Sequence, residues 1–219
     1  MFKQISIIGF GLIGSSLARA IKQHNLCDKL ICVDPSEEVG ITVKVHMLAD
    51  EVTTDAAKGV KGSDLVILAM PVGAVRDVAK AIAPHLDDNA IVTDVGSVKT
   101  QVSKALKEEL SDKIHVVPGH PIAGTENSGP ESGFAELFID RWCILTPTED
   151  TDVRAVEKVT KLWEACGSQI EIMEPDHHDL VLGITSHLPH LIAYTIVGTA
   201  TDLEDDIKGE VIKFSAGGF

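Results

Sequence analysis

Residues 9–14 read Gly-Phe-Gly-Leu-Ile-Gly, a G-x-G-x-x-G that follows a strand-like run at 4–8 and opens a helix-period segment at 13–23. That order of strand, glycines and helix restricts the chain to few folds, because each glycine has a separate task in one kind of turn. Gly9 permits the tight turn, Gly11 lets the backbone approach a pyrophosphate, and Gly14 lets the helix sit close to the sheet. Phe10, Leu12 and Ile13 complete the loop, and the helix start offers N–H groups to an anion. Twenty residues beyond Gly14, at the tip of a second strand over 30–33, stands Asp34. A carboxylate there accepts hydrogen bonds from both ribose hydroxyls and repels a 2′-phosphate, so the pattern predicts NAD as cofactor rather than NADP.

The rest of the chain continues the alternation. Continuous apolar runs at 65–69 and 90–93 have the character of strands buried on both faces. Further strands are expected at 114–117, 142–145 and 169–172, and helices at 73–82, 99–110 and 153–165, the last with Gly167 at its C-cap. The fold class is therefore α/β: a doubly wound, mostly parallel Rossmann-type sheet over residues 1–174. From Pro175 the pattern is all helical, with one helix over 176–201 interrupted by Pro189 and a second over 203–213. That piece is too short to build its own core. The last residues, Phe214 to Phe219, do not read as the finished end of a domain, so the helical part is expected to be truncated.

Composition excludes several partners. With 19 Lys and Arg against 33 Asp and Glu the net charge is −14, and no stretch gathers basic and aromatic residues, so nucleic acid is not an expected partner. The glycine-broken apolar start does not read as a signal peptide. No run approaches the roughly 18 uninterrupted apolar residues of a membrane span, and no membrane is expected. Four scattered cysteines with no C-x-x-C suit reduced thiols in the cytoplasm.

Ligands of open α/β sheets bind at the carboxyl ends of strands, and three such ends carry marked residues. One bears Met70 and Pro71, which should border the cofactor. Another bears Asp94-Val95-Gly96-Ser97-Val98-Lys99, with Gly96 beside the cofactor. The third bears His120, held between Gly119 and Pro121. A dehydrogenase needs a group to accept the proton of the hydroxyl being oxidised, and a neutral imidazole with a pKa near 6.5 suits that task. Ser97 either hydrogen-bonds the same hydroxyl or caps the following helix. His177, His178, His187 and His190 invite a metal reading, but no further ligand joins them at zinc-like spacing, so no metal is expected.

These residues resemble the prephenate and arogenate dehydrogenases of tyrosine biosynthesis. The matching segments are 7–18, D-V-G-S-V-K at 94–99, G-H-P-I-A-G-T-E at 119–126 and S-H-L-P-H-L at 186–191. The resemblance implies NAD-dependent oxidative decarboxylation: hydride leaves the ring carbon bearing the hydroxyl, carbon dioxide leaves the quaternary carbon, and the ring becomes aromatic. It implies His120 as the catalytic histidine with Ser97 beside it, and Ser186 and His190 as substrate-site residues from the helical domain. It implies Thr125 and Glu126 as further substrate-binding residues, with Glu126 near the pocket mouth, where it can engage the family's substrate-binding arginine. It also implies a homodimer through the helical domain.

In that family the A-G-G-F segment runs on to the arginine, whereas here Phe219 is the last residue. Lys99 and Arg141 are poor substitutes for a bidentate clamp on a substrate with two carboxylates. The 219 residues are accordingly expected to bind NAD but to turn prephenate over poorly. Two alternatives stay open: a catalytically weak NAD-binding protein, and a relative of the 3-hydroxyacid dehydrogenases. The latter generally use a helical-domain lysine, for which only Lys208 and Lys213 are at hand.

Overall fold

The computed structural model describes residues 2–202 and residue 213. The helix expected over 203–213, including Lys208, and the segment 214–219 lie outside the described residues apart from Lys213. The described chain divides into two compact units, one ending at His178 and one beginning at Asp179.

The first unit is built on six parallel strands. β1 (Phe2–Ile8), β2 (Cys27–Val33), β3 (Glu51–Thr53), β4 (Leu65–Leu68), β5 (Ile91–Asp94) and β6 (His115–Val116) lie in the order β3-β2-β1-β4-β5-β6. The helices α1 (Leu12–Gln23), α2 (Glu37–Val45), α3 (Ala56–Gly59), α4 (Val75–Ile82) and α5 (Thr100–Glu109) supply the crossovers. The sequence dictates why both sheet faces must be covered. Successive strand residues point to opposite sides, and here both sets are apolar. Ile5, Ile7, Leu30, Cys32, Leu65 and Ile67 join one core cluster with Leu17 and Ile21 of α1. Ile8, Ile31, Val33, Val66, Leu68 and Val92 join a second with Val75 and Ala79 of α4 and Val102 and Leu106 of α5.

A second sheet was not anticipated. β7 (Gly119–Pro121), β8 (Trp142–Leu145) and β9 (Gln169–Ile172) form it, with β7 antiparallel and β9 parallel to β8. Pro118, lacking an N–H, ends the first sheet after β6. His120 therefore sits within a short strand, opposite Ile144, and not in the free loop its Gly and Pro neighbours suggest. α6 (Val153–Ala165) crosses between β8 and β9, and its Trp163 is fully buried against Phe138, ring centroids 5.2 Å apart. Gly167 ends α6 with φ +94°, and the N–H groups of Gly167 and Ser168 return to the carbonyls of Glu164 and Trp163.

α7 (Pro175–Leu182) leads through a π-helical turn, Gly183–His187, into α8 (Leu188–Thr201). The turn accommodates Pro189: the Leu188 N–H reaches back to the Gly183 carbonyl, and the proline stands in the first turn of α8, where a missing donor costs little. The helical run Pro175–Thr199 is, by length and composition, long and apolar enough to cross a membrane. Uninterrupted apolar runs are the wrong measure of that property, since single polar residues are averaged away.

Candidate active site

Register brings the marked loops together. Ile8 at the end of β1 pairs with Val33 on one side and Leu68 on the other, and Leu68 pairs with Asp94. The chain therefore leaves β1, β2, β4 and β5 from a single edge. Gly9 turns there with φ +95°, and a Cβ on it would lie 2.6 Å from the Ala69 carbonyl oxygen, so only glycine fits. A Cβ on Gly14 would stand 2.1 Å from the Gly9 carbonyl oxygen, which is how closely α1 begins against the loop. Gly11, by contrast, is exposed, with nothing within 4 Å of where its Cβ would be.

Those contacts are what a dinucleotide site requires. The open side at Gly11 admits a phosphate to the backbone, and α1 begins with no side-chain cap and no acidic residue in its first turn, so its positive end is left for an anion. Asp34 is held beside it: one carboxylate oxygen accepts the Phe10 N–H at 2.9 Å and the other accepts the Ser36 N–H at 3.0 Å. Of the remaining loop residues, Phe10 is wholly buried while Leu12 and Ile13 are half-buried. Met70 is half-buried and Pro71 exposed where the chain leaves β4.

The end of β5 and the loop that follows it contribute a pair whose contact the sequence does not show. Lys99 and Asp94 are 0% and 1% exposed and form a buried ion pair. The Lys99 ammonium also donates to the Gly119 carbonyl at 2.7 Å, while the Gly119 N–H donates to the other oxygen of Asp94 at 3.2 Å. Gly96 lies in the same loop and donates its N–H to Asp94 at 2.8 Å. Burial pushes the Asp94 carboxyl upward; the Lys99 ammonium and the two backbone N–H groups pull the other way. The pair thus occupies both backbone polar groups of Gly119 and fastens β7 to the end of β5. Lys99, spent in this way, is no grip for a substrate carboxylate. Lys99 also takes the N-cap position of α5, with no side-chain cap, so Ser97 is not the cap and stands exposed in the loop before it.

His120 is half-buried, and its Nδ1 lies 2.9 Å from Nε2 of His178, the rings meeting at 63° with centroids 5.1 Å apart. His178 is fully buried. With Leu182 it is one of two buried α7 positions at i, i+4 spacing; the sequence carries that spacing without showing which helix face turns inward. Among the described residues no three His, Cys, Asp or Glu side chains gather to hold a metal. Thr125 and Glu126 are exposed in the segment after β7, where Thr125 accepts the Asn127 N–H at 3.2 Å. Ser186, half-buried in the π-helical turn, and His190, exposed on α8, belong to the second unit.

The two family models that match the chain belong to one family. Its nucleotide-binding domain, described as that of prephenate dehydrogenase, matches residues 17–172, and its dimerization domain matches residues 174–219. The chain is 45% identical to a cyclohexadienyl dehydrogenase of Zymomonas mobilis over 100% of its length, spanning 74% of that protein. It is 33% identical to the prephenate dehydrogenase of Bacillus subtilis over 98% of its length, and spans 58% of it. Among solved structures, prephenate dehydrogenase of A. aeolicus in complex with hydroxyphenyl propionate and NAD+ superposes with a TM-score of 0.90 at 34% identity, covering 100% of this chain and 76% of that one. Synechocystis arogenate dehydrogenase gives 0.83 at 29% identity, with coverages of 99% and 76%.

Proposed function

The chain belongs to the prephenate dehydrogenase family, and on that premise we propose that it carries out NAD-dependent oxidative decarboxylation of prephenate or arogenate in tyrosine biosynthesis, with His120 accepting the hydroxyl proton. Bound NAD supplies the hydride acceptor. The protein's own part is to bind, orient and move one proton. Gly9, Gly11 and Gly14 with the start of α1 hold the pyrophosphate, and Asp34 holds the ribose hydroxyls. Met70, Pro71 and Gly96 border the cofactor. His120 takes the proton of the ring hydroxyl as hydride departs. As carbon dioxide leaves the quaternary carbon, its electron pair passes through the ring to that oxygen, which recovers a proton and becomes a phenol. Ser97 hydrogen-bonds the same hydroxyl, while Thr125 and Glu126 contact substrate.

The observation that carries this reading is the fastening of the His120 strand to the end of β5 through Asp94, Lys99 and Gly119. It ties the strand that carries His120 to the carboxyl end of β5, on the same sheet edge from which β1, β2 and β4 leave. A homodimer is supported by the match of residues 174–219 to a dimerization domain, and a cytoplasmic setting by four free thiols. The test is NADH formation with prephenate and with arogenate by the complete natural protein, with carbon dioxide counted in parallel. One carbon dioxide per NADH on either substrate is expected; NADH without decarboxylation, or neither product, contradicts the proposal.

A further inference from the structure

His178 plays no part in the reading above, yet it is the fully buried side chain that touches the ring of His120. Building on that reading of His120 as the base, we propose that His178 is its positioning residue: His178 Nε2 accepts the proton carried by His120 Nδ1, so that the basic lone pair of His120 is assigned to Nε2. Two protonation patterns satisfy a 2.9 Å contact between these nitrogens. In one, His120 donates from Nδ1 and keeps a lone pair on Nε2. In the other, His178 donates, and His120 carries its proton on Nε2, where it cannot take one from a hydroxyl. Only the first makes His120 a base. Burial favours a neutral His178, because an imidazolium without water is costly. A neutral ring with its own proton on Nδ1 is an acceptor at Nε2.

The two rings are linked through a run of paired elements. β7 pairs with β8, β8 with β9, and α7 begins three residues after β9 ends. The Met173 N–H returns to the Leu145 carbonyl, the His178 N–H to the Glu174 carbonyl, and Thr100 at the start of α5 donates to Asp176 at 2.9 Å. His178 is thereby held by β9 and by α5, the helix that follows the Asp94–Lys99 loop. This is the arrangement in which a base is itself oriented by a third group, with an imidazole in the place where hydrolases of the serine type use a carboxylate.

The complete natural protein provides the test, through two substitutions at one site. His178→Phe keeps an aromatic ring and removes the acceptor; His178→Gln restores an acceptor oxygen. Phe is expected to lower kcat about 10- to 100-fold with KM and NAD affinity within about 3-fold, and Gln to recover most of it. Nitrogen-15 spectra of ring-labelled histidine are expected to show His120 protonated on Nδ1 in the natural protein and in the Gln variant, and on both nitrogens in turn in the Phe variant. Unchanged kcat in the Phe variant, a loss that Gln does not recover, or His120 protonated on Nε2 in the natural protein overturns the inference. His120→Asn, assayed alongside, separates the two claims: if it retains kcat, the reading of His120 as base fails, and the spectra still judge the tautomer.

Discussion

Asp34 serves the site twice with one carboxylate. It ties the glycine loop to the end of β2 through the Phe10 and Ser36 N–H groups, and in the proposed cofactor site its charge is what would repel a 2′-phosphate. Replacing it with Ser is expected to weaken NADH binding about 10-fold and to narrow the preference for NADH over NADPH by about 10- to 100-fold in fluorescence titrations; an unchanged ratio removes Asp34 from cofactor choice. The thiols make a second prediction. Burial pushes Cys27 up to about 11 and Cys32 and Cys166 up to about 12, from an ordinary 9.0. Folded thiols with raised values stay protonated while those of the unfolded chain ionise. Their contribution to stability is thus complete below pH 9 and is lost as pH rises from 9 towards 12. Chemical denaturation at pH 8 and pH 10 should give a lower midpoint at pH 10, and Cys27, Cys32 and Cys166 should resist thiol reagents at pH 8 until the protein unfolds.

β7 is three residues long and owes its place to the pair beneath it. Asp94→Asn leaves the Lys99 ammonium buried without its counter-charge, and should cost about 3–5 kcal/mol in chemical denaturation; a cost below about 1 kcal/mol means that the pair does not hold the strand. Elements of this kind mark where local pattern stops being informative. The glycine loop, Asp34 and the central strands were legible because each announces itself over a few residues. The pair was not, since Asp94 and Lys99 also read as an ordinary strand end and helix start. Nor was β7, whose partner β8 lies more than twenty residues away. α2 carries Val39, Ile41, Thr42, Val43 and Val45, a strand-like composition. Its helix is set by Ser36, which accepts the Val39 N–H at 3.3 Å, by Glu37 and Glu38 in the first turn, and by Gly40 close against Val52. His178 was visible as a histidine, but its partner is supplied by a strand 58 residues earlier.

The molecule as a whole combines a cofactor unit with closed cores and a second unit whose described helix exposes apolar side chains. Leu180, Ile184, Leu188 and Leu191 recur every three or four residues and are 48–65% exposed, a stripe suited to a second copy of the same helix. Sedimentation of the natural protein should show a dimer at micromolar concentration, and Leu191→Glu should shift it to monomer; an unshifted dimer places the interface elsewhere. Turnover, by contrast, depends on the imidazole of His120. The most direct measurement is steady-state kinetics of His120→Asn beside NAD affinity in the same preparation. We predict kcat lower by about 10²- to 10⁴-fold with the NAD dissociation constant unchanged. A variant that keeps its kcat, or loses turnover only as far as it loses NAD, rules out His120 as the base.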